Sequence, residues 1–298
     1  MNQLEHKKCL VCNNVDISSL KGFESLCLVI CNKCKFVFDK RIPTQVELDD
    51  FYKMYSYSQL KPIPEQTKVS YNLLLDQFEN YRKTENILDV GCGQGDFLVE
   101  AKKRGWNVYG TEFSEAAIEL CQARGINMHK GELLENDLER VEFDVITSFE
   151  VIEHINNPSH FMQVAYSQLK NNGLFYCTTP NFNSILRFFE KGDFKMIAYP
   201  EHISFYTKKS ITYLGRKHSF KTAKIATTGL DIGRLKTAIK SEKKIVSMEQ
   251  RKGDTAKLQK LSNANFFMKF VKKTINVFLT ILGKGDTIKV FWIKKIDR

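Results

Sequence analysis

Between positions 86 and 178 short apolar runs alternate with segments whose apolar residues recur every three to four positions. The runs at 87–90, 107–111, 126–129, 143–148 and 174–178 are short, rich in β-branched or aromatic residues and bounded by turn residues, so each reads as a strand. The segments between them read as helices. Such alternation predicts an α/β fold with a parallel sheet covered on both faces, because every crossover lays a helix across the sheet. Two further strands are predicted at 221–227 and Thr287–Lys294. Ahead of the alternation, Leu73, Leu74, Leu75 and Phe78 recur at helical spacing within 69–81, predicting a helix that leads into the main unit and covers its ligand cleft.

Two stretches break this rhythm. Pro43, Pro62 and Pro64 punctuate a polar, tyrosine-rich segment containing Phe51, Tyr52, Tyr55 and Tyr57, read as a helical connector. Between the last two strands lies a strongly basic insertion, 230–284, with Lys243-Lys244 and Arg251-Lys252. In its second half Asn265, Lys269, Lys272, Lys273 and Asn276 share one helical stripe, and Phe266, Phe267, Phe270, Val271, Ile275, Phe278 and Leu282 share the broad opposite face. This amphipathic helix, 264–283, has three candidate partners for its apolar side: the domain itself, a second subunit, or a membrane headgroup region where its lysines meet anionic lipid.

The chain has 298 residues, 43% of them hydrophobic, enough for one large core with small appendages. A formal charge of +11 favours an anionic partner without choosing among nucleic acid, phospholipid and phosphate-bearing substrate. The N-terminal MNQLEHKKCL has no apolar core of a secretory signal, and no apolar run is long enough to cross a bilayer. The expectation is a cytoplasmic protein, with peripheral contact at the inner membrane surface as the variant the amphipathic helix allows. In a reducing compartment its eight cysteines are thiols or metal ligands rather than disulfides. Cys9-x-x-Cys12 and Cys31-x-x-Cys34 form two knuckles separated by the roughly 15 to 20 residues of a four-cysteine zinc site. Four thiolates leave no open coordination position, so the expected zinc is structural. The apolar run at 26–30 suits a ribbon strand, with Cys27 packing on it.

The segment 87–95, ILDVGCGQG, sets a glycine-rich turn directly after a buried strand and before a helix, where backbone amides approach a ligand closely. Its G-x-G-x-G spacing disfavours a nicotinamide dinucleotide, which prefers G-x-G-x-x-G. Glu112 follows the second strand at about the 20-residue separation that lets a carboxylate take a ribose diol, and Glu132 follows the third, where an adenine amino group would meet it. In matching order, LDVGCGQG, TEFS, FDVITSFEVIEHI and LKNNGLFYCTTPN resemble the class I S-adenosylmethionine-dependent methyltransferases over about half the chain. The resemblance implies a Rossmann-like seven-stranded sheet with one antiparallel strand near its end. It places Asp89, Gly91, Cys92, Gly93 and Gly95 at the methionine end of the cofactor and Glu112 at the ribose. Glu132, Leu133 and Phe149 then line the adenine side and the floor near sulfur. The implied organisation is a zinc ribbon over 1–40, a connector over 41–84, the methyltransferase domain over 85–229 and 285–298, and the basic insertion over 230–284.

The ribbon, together with Tyr199-x-Glu201-His202, is similar to bacterial sugar methyltransferases, including those that C-methylate nucleotide-linked deoxysugars; this chain lacks their additional C-terminal domain. The resemblance implies Tyr199, Glu201 and His202 as acid-base groups in the acceptor site. A sugar hydroxyl is a poor nucleophile, so a neutral imidazole within reach of its proton assists transfer. His154, with Glu150 one turn before it to orient the ring, and His202 are the candidates. The fourth strand lacks the Asn/Asp-Pro-Pro-aromatic segment of many amino-methylating enzymes. The leading expectation is therefore O-methylation of a sugar or glycan precursor for surface polysaccharide. C-methylation of a nucleotide sugar, an RNA methyltransferase and a non-catalytic cofactor-binding scaffold stay open; RNA is disfavoured by the few aromatics interleaved with the lysines.

Overall fold

The computed structural model describes residues 4–53, 62–133, 141–239 and 266–295. Tyr55, Tyr57, the basic runs at 243–244 and 251–252, and Asn265 lie outside them.

Three short strands, β1 (Ile17–Ser19), β2 (Leu28–Cys31) and β3 (Val37–Asp39), form an antiparallel N-terminal sheet, followed by helices α1 (Gln45–Lys53) and α2 (Glu65–Phe78). The repeating part then runs β4 (Asn86–Val90), α3 (Asp96–Lys103), β5 (Asn107–Glu112), α4 (Glu115–Ala123), β6 (Asn127–Lys130), β7 (Phe143–Phe149), α5 (Pro158–Gln168) and β8 (Leu169–Pro180). After α6 (Ile185–Glu190) come β9 (Ser204–Phe205), α7 (Lys208–Lys217), β10 (Phe220–Thr228), α8 (Ile232–Ile239), α9 (Phe266–Leu282) and β11 (Thr287–Lys294).

The main sheet has the order β10-β11-β8-β7-β4-β5-β6. Its pairs from β8 to β6 are parallel, and β11 runs antiparallel between β8 and β10. This is the seven-stranded mixed sheet the resemblance implies, with the insertion between its two last strands. The central strands are apolar on both faces because both are covered. Along each strand successive residues alternate between two cores: Leu88, Ile146 and Phe175 join one, Ile87, Val145 and Leu174 the other. Leu75 and Phe78 of α2 with Phe97 and Leu98 of α3 close the second core. Helix starts follow local chemistry. Ser114 accepts from the Ala117 amide at the head of α4, Asn157 does the same for His160 ahead of Pro158, and Thr207 and Ser210 cap α7 reciprocally.

Two links position the site. Asp144 Oδ2 accepts from the Lys83, Thr84 and Glu85 amides at 2.6, 2.6 and 2.8 Å, pinning the turn from α2 into β4 against β7. β9 adds a fourth strand to the N-terminal sheet beside β3, so residues after β8 and residues before β4 share one small sheet.

Two expectations are corrected. Cys27 does not pack on a strand: it is exposed, in the left-handed region at φ 57°, and the strand begins only at Leu28. In α9 the predicted polar stripe is not the outer face near its end. Asn276 accepts from the Gly229 amide, Thr280 bonds Thr227 and Leu279 is buried, whereas Ile275, Phe278 and Leu282 are exposed. The end of β10 and the residue after it offer backbone groups that Asn276 and Thr280 satisfy, and this outweighs the apolar stripe. Among the described residues no helix is long and apolar enough to cross a membrane.

Candidate active site

The glycine loop follows β4 directly. Gly91 and Gly95 take φ of 68° and 76°, which L side chains avoid. A Cβ on Gly91 would lie 2.7 Å from Val151 Cγ2, and one on Gly95 would lie 2.6 Å from Ile126 Cδ1. The Gly91 and Cys92 amides donate to the Thr111 carbonyl at 3.0 and 3.1 Å, and the Gly93 amide donates to Glu112 Oε2 at 3.0 Å. The other Glu112 oxygen accepts from the Phe113 and Ser114 amides at 2.8 and 3.2 Å. The expected ribose carboxylate thus also braces the loop. Asp89 is buried with Thr147 Oγ1 donating to it at 2.7 Å, and burial pushes its carboxyl up to about 8. Glu132 is exposed and Leu133 buried beyond β6.

Phe149 ends β7 in an aromatic cluster with Phe97 at 5.0 Å, Tyr176 at 5.6 Å and Tyr71 of α2 at 6.0 Å. Burial, then the charges of Asp89 and Asp96, push the Tyr71 hydroxyl up to about 12. α2 therefore borders the loop, and Tyr71 is a site residue that helical spacing alone did not single out.

On the far side of β7, the turn Ile152–His154 and the loop before β9 bring His154 and His202 together, their ring centroids 4.8 Å apart. His154 Nδ1 donates to the Glu201 carbonyl at 2.6 Å and His202 Nδ1 donates to the Met196 carbonyl at 2.9 Å. A carbonyl can only accept, so in each neutral ring Nε2 is the lone-pair nitrogen. Burial, then the neighbouring His202, push His154 down to about 4, keeping it neutral at physiological pH. The Glu201 carbonyl orients the ring, and the backbone of Glu150, the expected neighbour, also acts on it. Glu201 Oε1 lies 3.9 Å from His202 Nε2. Tyr199 is tied to the N-terminal part: its hydroxyl donates to Glu47 Oε2 at 3.1 Å and Arg41 stacks 3.8 Å over its ring. Sequence reasoning passed over Glu153, which is 2% exposed and accepts from Thr179 Oγ1 at 2.9 Å. Its position between two candidate residues, Glu150 and His154, was the available signal.

The four knuckle cysteines converge. Cys9 and Cys34 sulfurs are 3.5 Å apart, Cys12 and Cys31 sulfurs 3.4 Å, and all four lie within 4.8 Å of one another. Zinc–sulfur bonds of about 2.3 Å in a tetrahedron set sulfurs a little under 4 Å apart, so the set fits such an ion. The Cys34 amide donates to Cys31 Sγ at 3.5 Å, a contact that favours a thiolate there.

A family model described as a methyltransferase domain matches residues 65–224, more than half of the chain. The chain belongs to this methyltransferase family. The match opens at the first residue of α2 and closes within β10, spanning the glycine loop and both histidines. The methyltransferase is 29% identical over 158 residues to a ubiquinone biosynthesis O-methyltransferase of Pasteurella multocida, covering 46% of this chain and 65% of that protein. It is 29% identical over 106 residues to one from Pseudomonas fluorescens, covering 33% and 46%. The methyltransferase thus spans less than two thirds of the length of these curated relatives. An Archaeoglobus fulgidus SAM-dependent methyltransferase structure superposes with a TM-score of 0.52 at 17% identity, covering 82% of this chain and 100% of that one. The Streptomyces coelicolor geranyl diphosphate C-methyltransferase, solved with S-adenosyl-L-homocysteine, gives 0.51 at 12%, covering 76% and 78%. These two likenesses are of fold.

Proposed function

We propose that the protein transfers the methyl group of S-adenosylmethionine to a hydroxyl of a sugar or glycan precursor. The observation that carries the oxygen acceptor is the pair of imidazoles, each with Nδ1 on a backbone carbonyl and Nε2 left to act, 48 positions apart in the chain and adjacent in the fold. The glycine turn fits the cofactor, since a Cβ at Gly91 would meet Val151, and the amides beside Glu112 frame a place for a ribose. Asp89, Gly91, Cys92, Gly93 and Gly95 would hold the methionine end, with Glu132, Leu133 and Phe149 on the adenine side.

When bound, S-adenosylmethionine supplies a sulfonium methyl whose carbon–sulfur bond breaks as the acceptor oxygen bonds to carbon. The chain aligns the oxygen, which is the larger part of the catalysis. Nε2 of His154 or His202 takes the hydroxyl proton, Glu201 steadies the resulting charge on His202, and Tyr199 holds the connector over the acceptor loop. The oxygen-methylating relatives support oxygen as the target atom. We also read Cys9, Cys12, Cys31 and Cys34 as a structural zinc ribbon whose ion cross-links the knuckles.

Methyl-labelled cofactor incubated with nucleotide sugars, surface polysaccharide, quinone precursors and RNA tests the assignment. Label is expected in a sugar-containing fraction as an alkali-stable ether, and to fall at least about tenfold in His154→Ala or His202→Ala with cofactor binding unchanged. Label confined to RNA or to quinone precursors would overturn the sugar assignment.

A further inference from the structure

Glu153, His154 and His202 have a second feature in common besides their closeness to one another. Each offers one ligand atom, and the three atoms lie within 4.8 Å of one another. Glu153 Oε1 is enclosed and has no hydrogen-bond partner, while Oε2 is taken by Thr179. A buried carboxylate oxygen left bare costs more than an ordinary lost hydrogen bond, so it calls for a proton or a cation. The neighbours favour a cation. Each ring offers one nitrogen close to the carboxyl group, and each ring is fixed through Nδ1 on a carbonyl, the arrangement by which metal-ligating histidines are held.

We propose that Glu153, His154 and His202 bind a first-row divalent metal cation through one carboxylate oxygen and two Nε2 atoms. Two imidazoles and a carboxylate are borderline donors suited to such ions and unsuited to calcium or magnesium. Three protein ligands leave coordination positions open, unlike the four thiolates of the N-terminal cluster. The site is held by both ends of the fold. The Ile203 amide, next to His202, donates to the Glu153 carbonyl at 3.1 Å, and the Asp39 amide of β3 donates to the Ile203 carbonyl at 2.9 Å. The N-terminal sheet therefore clamps the loop that brings His202 to Glu153.

For catalysis this rests on the reading of the cluster as the acceptor side, and deepens it. Were the cation bound, Glu153, His154 and His202 would hold it, both Nε2 atoms would be ligands instead of bases, and the cation would lower the pKa of an acceptor hydroxyl so that its proton passes to water in place of an imidazole.

The test uses the full-length, zinc-replete chain titrated with Co²⁺ and followed by visible absorption and by equilibrium dialysis. One Co²⁺ per chain is expected beyond the zinc, with weak d–d bands and without the intense bands of cobalt bound to thiolate. Glu153→Gln, His154→Gln and His202→Gln should each weaken Co²⁺ binding at least about tenfold, at unchanged affinity for S-adenosylhomocysteine. No bound Co²⁺ in the wild-type protein would overturn the site, whatever the variants do, and so would equal binding by wild type and a folded Glu153→Gln. Methyl transfer measured in the same samples separates the two readings. Co²⁺ bound without transfer to any sugar sinks the acceptor assignment and leaves the site standing; transfer without bound Co²⁺ does the reverse.

Discussion

Replacing Gly91 with alanine adds one methyl group where two penalties coincide. At φ 68° an L side chain costs about 1–2 kcal/mol relative to glycine. The new Cβ would also stand 2.7 Å from Val151 Cγ2 and 3.5 Å from Cγ1. Relieving such overpacking typically costs about 1–3 kcal/mol, which brings the total to roughly 2–5 kcal/mol. Val151 opens the turn that carries Glu153 and His154, and the loop amides are tied to Thr111 and Glu112, so either side that yields is part of the site. If about 1.4 kcal/mol of this strain is relieved by displacing the loop, affinity for the cofactor falls tenfold. Calorimetric titration with S-adenosylhomocysteine, paired with urea unfolding, measures both parts. Gly22→Ala is the control: its φ is 82° with nothing within 4 Å of the added Cβ, so only the backbone cost of about 1–2 kcal/mol is expected, with no change in binding. Adding Val151→Ala to Gly91→Ala should restore the steric part and leave the backbone part. Wild-type affinity and stability in Gly91→Ala would refute the reasoning.

Two further outcomes are expected. The purified protein should carry one equivalent of zinc. Its removal by a chelator should lower the melting temperature by several degrees, each kcal/mol lost being worth roughly 2–4 °C in a chain of this size class, because Cys9, Cys31 and Cys34 sit in the same core as Phe36, Phe38 and Tyr206. Metal analysis and scanning calorimetry check it, and a chelator-treated protein that melts unchanged would count against the ribbon. Asp89 gives a pH signature. With its carboxyl raised from 3.8 to about 8, the folded state holds a proton that the unfolded state has already released, so this group's contribution is fully present below pH ~4 and is lost as pH rises to about 8. Asp89→Asn should remove that decline, a difference on the order of 5 kcal/mol at pH 8 if the whole shift is expressed. Parallel urea-unfolding profiles of the two proteins from pH 5 to pH 8 would contradict it.

The strands of the main sheet were readable from the chain because burial on both faces leaves continuous apolar runs, and β11 was placed to the residue. The two cysteine knuckles and the glycine turn were readable because their chemistry needs fixed short spacings. Local pattern failed where a backbone position or a polar partner outweighed hydrophobicity. Cys27 looks like part of an apolar strand yet occupies a left-handed turn, and Asn276 lies on a polar stripe yet faces the body to satisfy a Gly229 amide.

By itself the sequence determined the alternation of strands and helices, the loop that receives a nucleoside cofactor and the four thiols, since each depends on residues close in the chain. The meeting of His154, His202 and Glu153, and the bracing of Glu112 against Gly93, were decided by the tertiary structure. His202 reaches Glu153 because β9 joins the N-terminal sheet and Ile203 bonds both Asp39 and Glu153, a set of contacts spanning more than half the chain. Side-chain period reports which face of an element is buried; it carries no information about which distant element will cover that face, and the cluster of Glu153, His154 and His202 is made by that choice.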